Sequence, residues 1–191
     1  MKNLILVIGR SGSGKDTLVR HAQEVFGAKA IPSYTDRPIR PTETDGIEHT
    51  FLAKDQFDDL LTKEQVFAYT KIGDTGYRYC TTVEMLKNID ADTVFYVIDP
   101  AGYYFCDKYK DEFNMKVVYV CADKAIREAR ANARNGDSTA WLKRDGDEDG
   151  QFTEFEKAMP WDAMVENNGD LEDARVNFVS TVKNLIEATQ A

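Results

Sequence analysis

Apolar residues in this chain fall into two rhythms. Short continuous runs rich in β-branched residues read as strands buried on both faces. They are residues 2–8, with Leu4, Ile5, Leu6, Val7 and Ile8, then Thr93-Val94-Phe95-Tyr96-Val97-Ile98, then Met115 to Val120. Helical spacing governs Lys15 to Phe26, residues 54–64, residues 123–134 and residues 170–189, the last with Val176, Phe178, Val179, Val182, Leu185 and Ile186 as its apolar positions. Val83 to Ile89 reads as a short helix and Ile31 to Tyr34 as a short strand. Residues 36–50, rich in Pro, Arg, Thr and Asp, read as loop; residues 66–82, aromatic and glycine-bearing, as a hairpin or irregular segment; residues 135–150, polar and acidic, as surface. Strands alternating with helices predict a mostly parallel α/β sheet in one domain, with no internal repeat.

The first strand runs into Gly9-Arg10-Ser11-Gly12-Ser13-Gly14-Lys15, which fits G-x-x-x-x-G-K between a buried strand and a helix. Glycines at this spacing let successive backbone amides converge on one anion, and the helix N-terminus adds a favourable dipole. Lys15 supplies a mobile positive charge for the outer phosphates of ATP. Gly9, Ser11, Gly12, Ser13, Gly14, Lys15, Asp16 and Thr17 are therefore the expected nucleotide contacts. After the lysine, Asp16 stands where a hydroxyl usually contacts Mg²⁺, with Thr17 next. Carboxylate and hydroxyl oxygens both suit that ion, so Asp16 and then Thr17 are the candidate Mg²⁺ ligands.

Residues 33–46 read Ser-Tyr-Thr-Asp-Arg-Pro-Ile-Arg-Pro-Thr-Glu-Thr-Asp-Gly. This resembles the acceptor loop of the guanylate kinase family, roughly S-x-T-T-R-x-P-R-x-G-E-x-x-G. Residues 46–51 resemble the family's G-x-D-Y-x-F, and Gly76-Tyr77-Arg78-Tyr79-Cys80-Thr81 its G-N-Y-Y-G-T. Val165-Glu166-Asn167-Asn168 with Asp170-Leu171-Glu172 resembles V-N-x-D-L-E near the ATP base, and Arg130, Arg134 and Arg144 resemble lid arginines that close over the phosphates. The resemblance spans nearly the whole chain. It implies a three-layer P-loop NTPase fold with a core of 1–32, 87–133 and 159–191, an acceptor-binding insertion at 33–86 and a lid at 134–158. It also implies an ATP-dependent phosphotransferase acting on a nucleotide. Ser33, Arg37, Arg40, His49, Tyr69, Tyr79, Thr81 and Asp99 fall on acceptor positions, and Lys15, Arg134 and Arg144 on charge-offsetting ones.

The departures fall on the acceptor side. The family tyrosine at position 49 is histidine, and the glutamate that reads guanine is Tyr69. A phenol replaces a carboxylate poorly as an acceptor from guanine's N–H groups, so guanine selectivity should weaken. The threonine before the first arginine is Asp36, which reads either as a turn residue or as a catalytic base. A phosphate acceptor needs no base, whereas an alcohol benefits from one. Three functions follow. One is a nucleoside monophosphate kinase of altered base preference. Another is a kinase of hydroxyls, such as the hydroxymethyl group of 5-hydroxymethyluracil in bacteriophage DNA. The last is a non-catalytic interaction module on the same fold, which the intact Lys15 disfavours.

A second motif lies in the lid. Asp145, Asp147, Asp149, Gly150 and Glu156 match the spacing of an EF-hand loop, which predicts a Ca²⁺ site if Gly150 makes the sharp turn and an acidic surface if it does not.

Composition narrows the rest. Of 191 residues, 42% are hydrophobic, enough for one sizeable core. The net charge of −9 argues against general affinity for nucleic acid backbone or anionic membrane, leaving DNA only as a specific substrate. Cys80, Cys106 and Cys121 lack metal or redox spacing and read as reduced thiols; His21 and His49 are too few for a zinc site. The N-terminal apolar run is too short for a signal peptide and no stretch approaches membrane-spanning length. A cytoplasmic protein is expected, in the host cytoplasm if the source is viral.

Overall fold

The computed structural model describes residues 2–40, 43–47, 49–73, 75–135 and 138–188, and at 134, 135 and 138–140 the backbone alone. Its centre is a five-stranded sheet. The strands are β1 (Asn3–Ile8), β2 (Lys29–Ala30), β7 (Thr93–Val97), β8 (Asn114–Cys121) and β9 (Ala163–Glu166), in the order β2-β7-β1-β8-β9. Every pairing is parallel, with Leu6 level with Tyr96 on one side and Val117 on the other.

A parallel sheet requires cover on both faces, because its strands are joined by crossovers that return on one side or the other. Alternation along β1 shows how that cover is divided. Leu4, Leu6 and Ile8 join one buried cluster with Leu86, Tyr96, Cys106, Phe152 and Phe155. Ile5 and Val7 join the opposite one, with Leu18, Val19 and Ala22 of α1 (Lys15–Phe26) and Phe178 and Val182 of α7 (Leu171–Glu187). The result is a three-layer α/β sandwich.

Between β2 and β7 the chain builds a second sheet of four strands, β4 (His49–Phe51), β3 (Ser33–Thr35), β6 (Arg78–Thr82) and β5 (Val66–Lys71), in that spatial order. Helices α2 (Lys54–Lys63) and α3 (Val83–Asn88) belong to this insertion. The hairpin expected within 66–82 is β5–β6. The single strand expected at Ile31 to Tyr34 divides between two sheets: Lys29–Ala30 pairs with β7, Ser33–Thr35 with β4 and β6.

Helix α4 (Pro100–Cys106), followed by a 3-10 turn at Asp107–Tyr109, and strand β9 are additions to the sequence reading. The larger correction is the lid. Helix α5 (Lys124–Asn135) is followed by α6 (Ser138–Ala158), so the acidic stretch is helix rather than open surface loop. In α6, Trp141, Asp145, Phe152 and Phe155 are buried and Glu148 is half-buried, at alternating steps of four and three. That spacing makes one face of a helix, with two carboxylates set into an apolar stripe.

Candidate active site

β1 ends at Ile8 and α1 starts at Lys15, so the intervening loop turns sharply over the C-terminal edge of the sheet. Gly12 (φ 82°) and Gly14 (φ 88°) adopt left-handed backbone. Space is equally restrictive. A Cβ would lie 2.4 Å from the Val120 carbonyl oxygen at Gly9, 2.6 Å from that of Arg127 at Gly12, and 2.3 Å from Asn167 Nδ2 at Gly14. The loop's carbonyls are held by core-side donors: Arg127 Nη1 donates to Ser11 O (3.3 Å) and Asn167 Nδ2 to Ser13 O (2.8 Å). With oxygens drawn inward, amides are left to face an anion. The Ser11 N–H donates to Glu148 Oε2 at 2.9 Å. Lys15 is partly exposed at the head of α1, and Asp16 and Thr17 follow it exposed.

The insertion sheet faces this loop with basic groups. Arg37, whose side chain is 5% exposed, donates from Nε to Tyr79 Oη (2.8 Å) and forks onto Glu43 through Nη1 (2.7 Å) and Nη2 (2.5 Å). Arg37's hydrogen bonds hold the Glu43 carboxyl down to about 2, against burial. Arg40 has its pKa lowered by burial and then by the charges of Arg37 and Arg144. Ser33 Oγ and His49 Nδ1 are 2.8 Å apart, and the His49 ring meets Tyr79 edge-on at 5.4 Å. His49 has its pKa lowered by burial and by Arg37, which favours the neutral ring.

The structure therefore brings together Ser33, Arg37, Arg40, His49 and Tyr79 on one side, and residues 9–17 with Arg144 on the other. Arg144 donates from Nε to Glu148 Oε1 (3.1 Å) and lies close enough to Arg40 to act on its charge. The side chain of Arg134, expected beside it, lies outside the described residues. Arg130 braces the loop's neighbour, donating to Asn167 O at 2.9 Å.

Other expected site residues are engaged elsewhere. Asp36, the candidate base, accepts from Arg78 N (2.7 Å) and Arg78 Nε (2.6 Å), with its side chain 2% exposed. Burial pushes its pKa up, but the bonds from Arg78 outweigh burial and leave it below the usual range. A buried carboxylate committed to a guanidinium is a brace between β3 and β6 rather than a base. Thr81 is fully buried and donates to Tyr96 Oη (2.9 Å), which removes it from the acceptor surface. Asp99 caps α4 by accepting from the Gly102 N–H (2.8 Å) and also accepts from Thr70 Oγ1 (2.7 Å); burial raises its pKa. Tyr69 lies against Phe105, ring centres 6.2 Å apart.

The calcium loop is overturned. Gly150 sits inside α6, and the four carboxylates do not converge on one centre. Asp145 pairs with Arg127 (2.7 Å) and Lys124 (3.0 Å), while Asp149 (2.9 Å) and Glu156 (2.8 Å) both pair with Arg10. Asp147 lies beside Gly73. Among the described residues, no group of three or more His, Cys, Asp or Glu side chains is arranged to hold a metal ion. Sequence reading gave no role to Arg10, Glu43, Arg127 or Glu148. The steps of four and three from Trp141 to Phe155 were the available signal for the two lid acids.

A three-layer parallel sheet with a glycine-constrained phosphate loop, an adjacent lysine and an opposing basic insertion defines a P-loop phosphotransferase. The family model for guanylate kinase matches residues 1–189, and the chain belongs to that family. Guanylate kinase of Aliivibrio fischeri is 28% identical over 189 residues, covering 94% of this chain and 86% of the relative. That of Fusobacterium nucleatum is 26% identical over 187 residues, covering 95% and 96%. Among solved structures, guanylate kinase from Anaplasma phagocytophilum superposes with a TM-score of 0.67 at 17% identity, covering 99% of this chain and 87% of the other. Among the described residues no helix is long and apolar enough to cross a membrane.

Proposed function

We propose that this chain transfers the terminal phosphoryl group of ATP to a nucleoside monophosphate, with a base preference relaxed from guanine. The observation that carries this reading is the glycine-constrained loop that ends at Lys15, beside an insertion in which Arg37 is bonded to Tyr79 and Ser33 to His49. Arg37 and Arg40 share the carboxylate of Glu43 (2.5 and 3.8 Å), and guanidinium forks that take a carboxylate take phosphate oxygens in the same geometry.

In this reading the loop amides and Lys15 hold the donor phosphates. Arg37, Arg40 and Tyr79 orient the acceptor phosphate, and Arg144 spans the gap between the two. Positioning and charge compensation then supply most of the catalysis. Asp16 and Thr17, exposed oxygen donors at the head of α1, would hold Mg²⁺, which would supply charge compensation to the phosphates. An acceptor phosphate is already anionic, so commitment of Asp36 to Arg78 costs this reaction nothing. The same commitment removes the feature that favoured a hydroxyl acceptor. The reduced thiols of Cys80 and Cys106, pushed by burial up to about 12, fit a cytoplasmic setting.

The test is ATP consumption with GMP, dGMP, dTMP, dUMP and DNA containing hydroxymethylated bases. Turnover with free monophosphates, with GMP only modestly preferred, is the expected result. Turnover confined to DNA would replace this reading with the hydroxyl kinase, and none with any acceptor would leave the interaction module.

A further inference from the structure

Glu148 occupies an unusual place for a carboxylate. Its side chain is 15% exposed, and its two oxygens take three donors. Oε2 accepts from the Ser11 N–H at 2.9 Å, while Oε1 accepts from Ser11 Oγ at 2.6 Å and from Arg144 Nε at 3.1 Å. Burial pushes the Glu148 pKa up; the charge of Arg144, the two bonds from Ser11 and the charge of Lys15 outweigh it and leave the group ionised. The negative charge therefore lies within the phosphate loop, between its lysine and the lid arginine. The charge of Arg144 is also felt at Arg40, where burial and then Arg37 and Arg144 lower the pKa. A carboxylate thus occupies a backbone amide and a hydroxyl of the phosphate loop and the lid arginine at once.

We propose that Glu148 is a built-in substitute for the terminal phosphate, and that nucleotide binds by displacing it from Ser11 and Arg144. This rests on the reading of residues 9–17 as a nucleotide site. Two like charges cannot share these donors at such distances without large repulsion. Exchange needs only rotation of the Glu148 side chain, because Asp145 on Arg127 and Glu156 on Arg10 keep α6 seated. Displacement also frees Arg144, so the arginine becomes available to the phosphoryl group when a triphosphate arrives. Glu148 acts here as a positioning residue for Arg144 and as a competitor of ATP.

The experiment is calorimetric titration of the full chain with ATP and with ADP, for wild type, Glu148→Ala, Glu148→Gln and Lys15→Ala, with melting curves for each. Removing the competitor should tighten ATP binding about tenfold in Glu148→Ala and less in the isosteric Glu148→Gln, with a smaller gain for ADP, which lacks the terminal phosphate. Unchanged or weaker ATP affinity in both variants, with melting like wild type, would overturn the proposal. Equal gains for ATP and ADP would overturn the placement at the terminal phosphate. Failure of the nucleotide reading looks different: wild type and Lys15→Ala would then bind ATP equally or not at all.

Discussion

The two halves of the cleft are built on different principles. On the donor side the loop between β1 and α1 is specified by what cannot fit. Three glycines each stand against a fixed neighbour, and two of them take backbone angles that side chains resist. On the acceptor side the surface is specified by pairs. Arg37 is set by Glu43 and Tyr79, Asp36 by Arg78, and Ser33 by His49, with partners up to 42 residues apart in the chain. A steric rule leaves a regular spacing in the sequence; a pairing rule leaves only two residues of suitable type, far apart. In the proposed reaction the donor side is therefore rigid in sequence and general in use, while the acceptor side can exchange partners and change what it recognises.

Four substitutions test that contrast. The largest effect should come from Lys15→Ala, expected to lower kcat/KM for ATP by about 10³-fold with little change in Tm, since the residue works on charge that develops in the reaction. Loss of stability together with activity would mean that Lys15 is structural. Asp36→Asn should do the opposite. It leaves Arg78 without its buried partner and should cost about 2 kcal/mol, or roughly 6 °C in Tm, with kcat nearly unchanged. A selective fall in kcat without a fall in Tm would restore Asp36 as a base. Tyr69→Glu should raise the ratio of kcat/KM for GMP over dTMP about tenfold by returning a carboxylate acceptor. An unchanged ratio would show that base choice is made elsewhere. The smallest effect concerns pH. Arg37 holds Glu43 at about 2, below its ordinary 4.5, so its contribution to stability is complete above about 4.5 and is lost as pH falls toward 2. Glu43→Gln should flatten that part of the acid-unfolding profile, measured as Tm against pH. An unaltered profile would place the acid sensitivity in other carboxylates.

The contrast also explains what could be read in advance. The buried strands β1, β7 and β8, the phosphate loop and helices α1 and α7 were legible because backbone periodicity and glycine spacing are local signals. Strand β9 was missed, since a run of four residues, Ala163–Glu166, is too short to show a periodicity. The lid misled for a related reason. Alternate acids from Asp145 to Asp149 satisfy a metal-loop template, and the template says nothing about Arg10 and Arg127, which lie far away in the chain and claim Asp145, Asp149 and Glu156. Resemblance pointed to Arg37, Arg40 and Tyr79, which the structure gathers around Glu43 and the Arg37–Tyr79 bond. It also carried over Thr81, whose hydroxyl here is consumed by Tyr96 in the interior.

Among the described residues, the second sheet is fastened to the core most heavily along its β5–β6 side. Phe67 of β5 is fully buried in the central cluster, Tyr109 donates to Val66 O at 3.0 Å, and Thr70 reaches Asp99, whereas β4 at the opposite edge carries no fully buried residue. Motion in this sheet must therefore grow from β5 toward β4, like a hinged leaf. Amide exchange should be slowest in β5 and fastest in β4. Arg37 and Arg40 follow β3 near the swinging edge, so in the proposed reaction closure would carry them toward the phosphate loop while the strands beneath that loop keep their register.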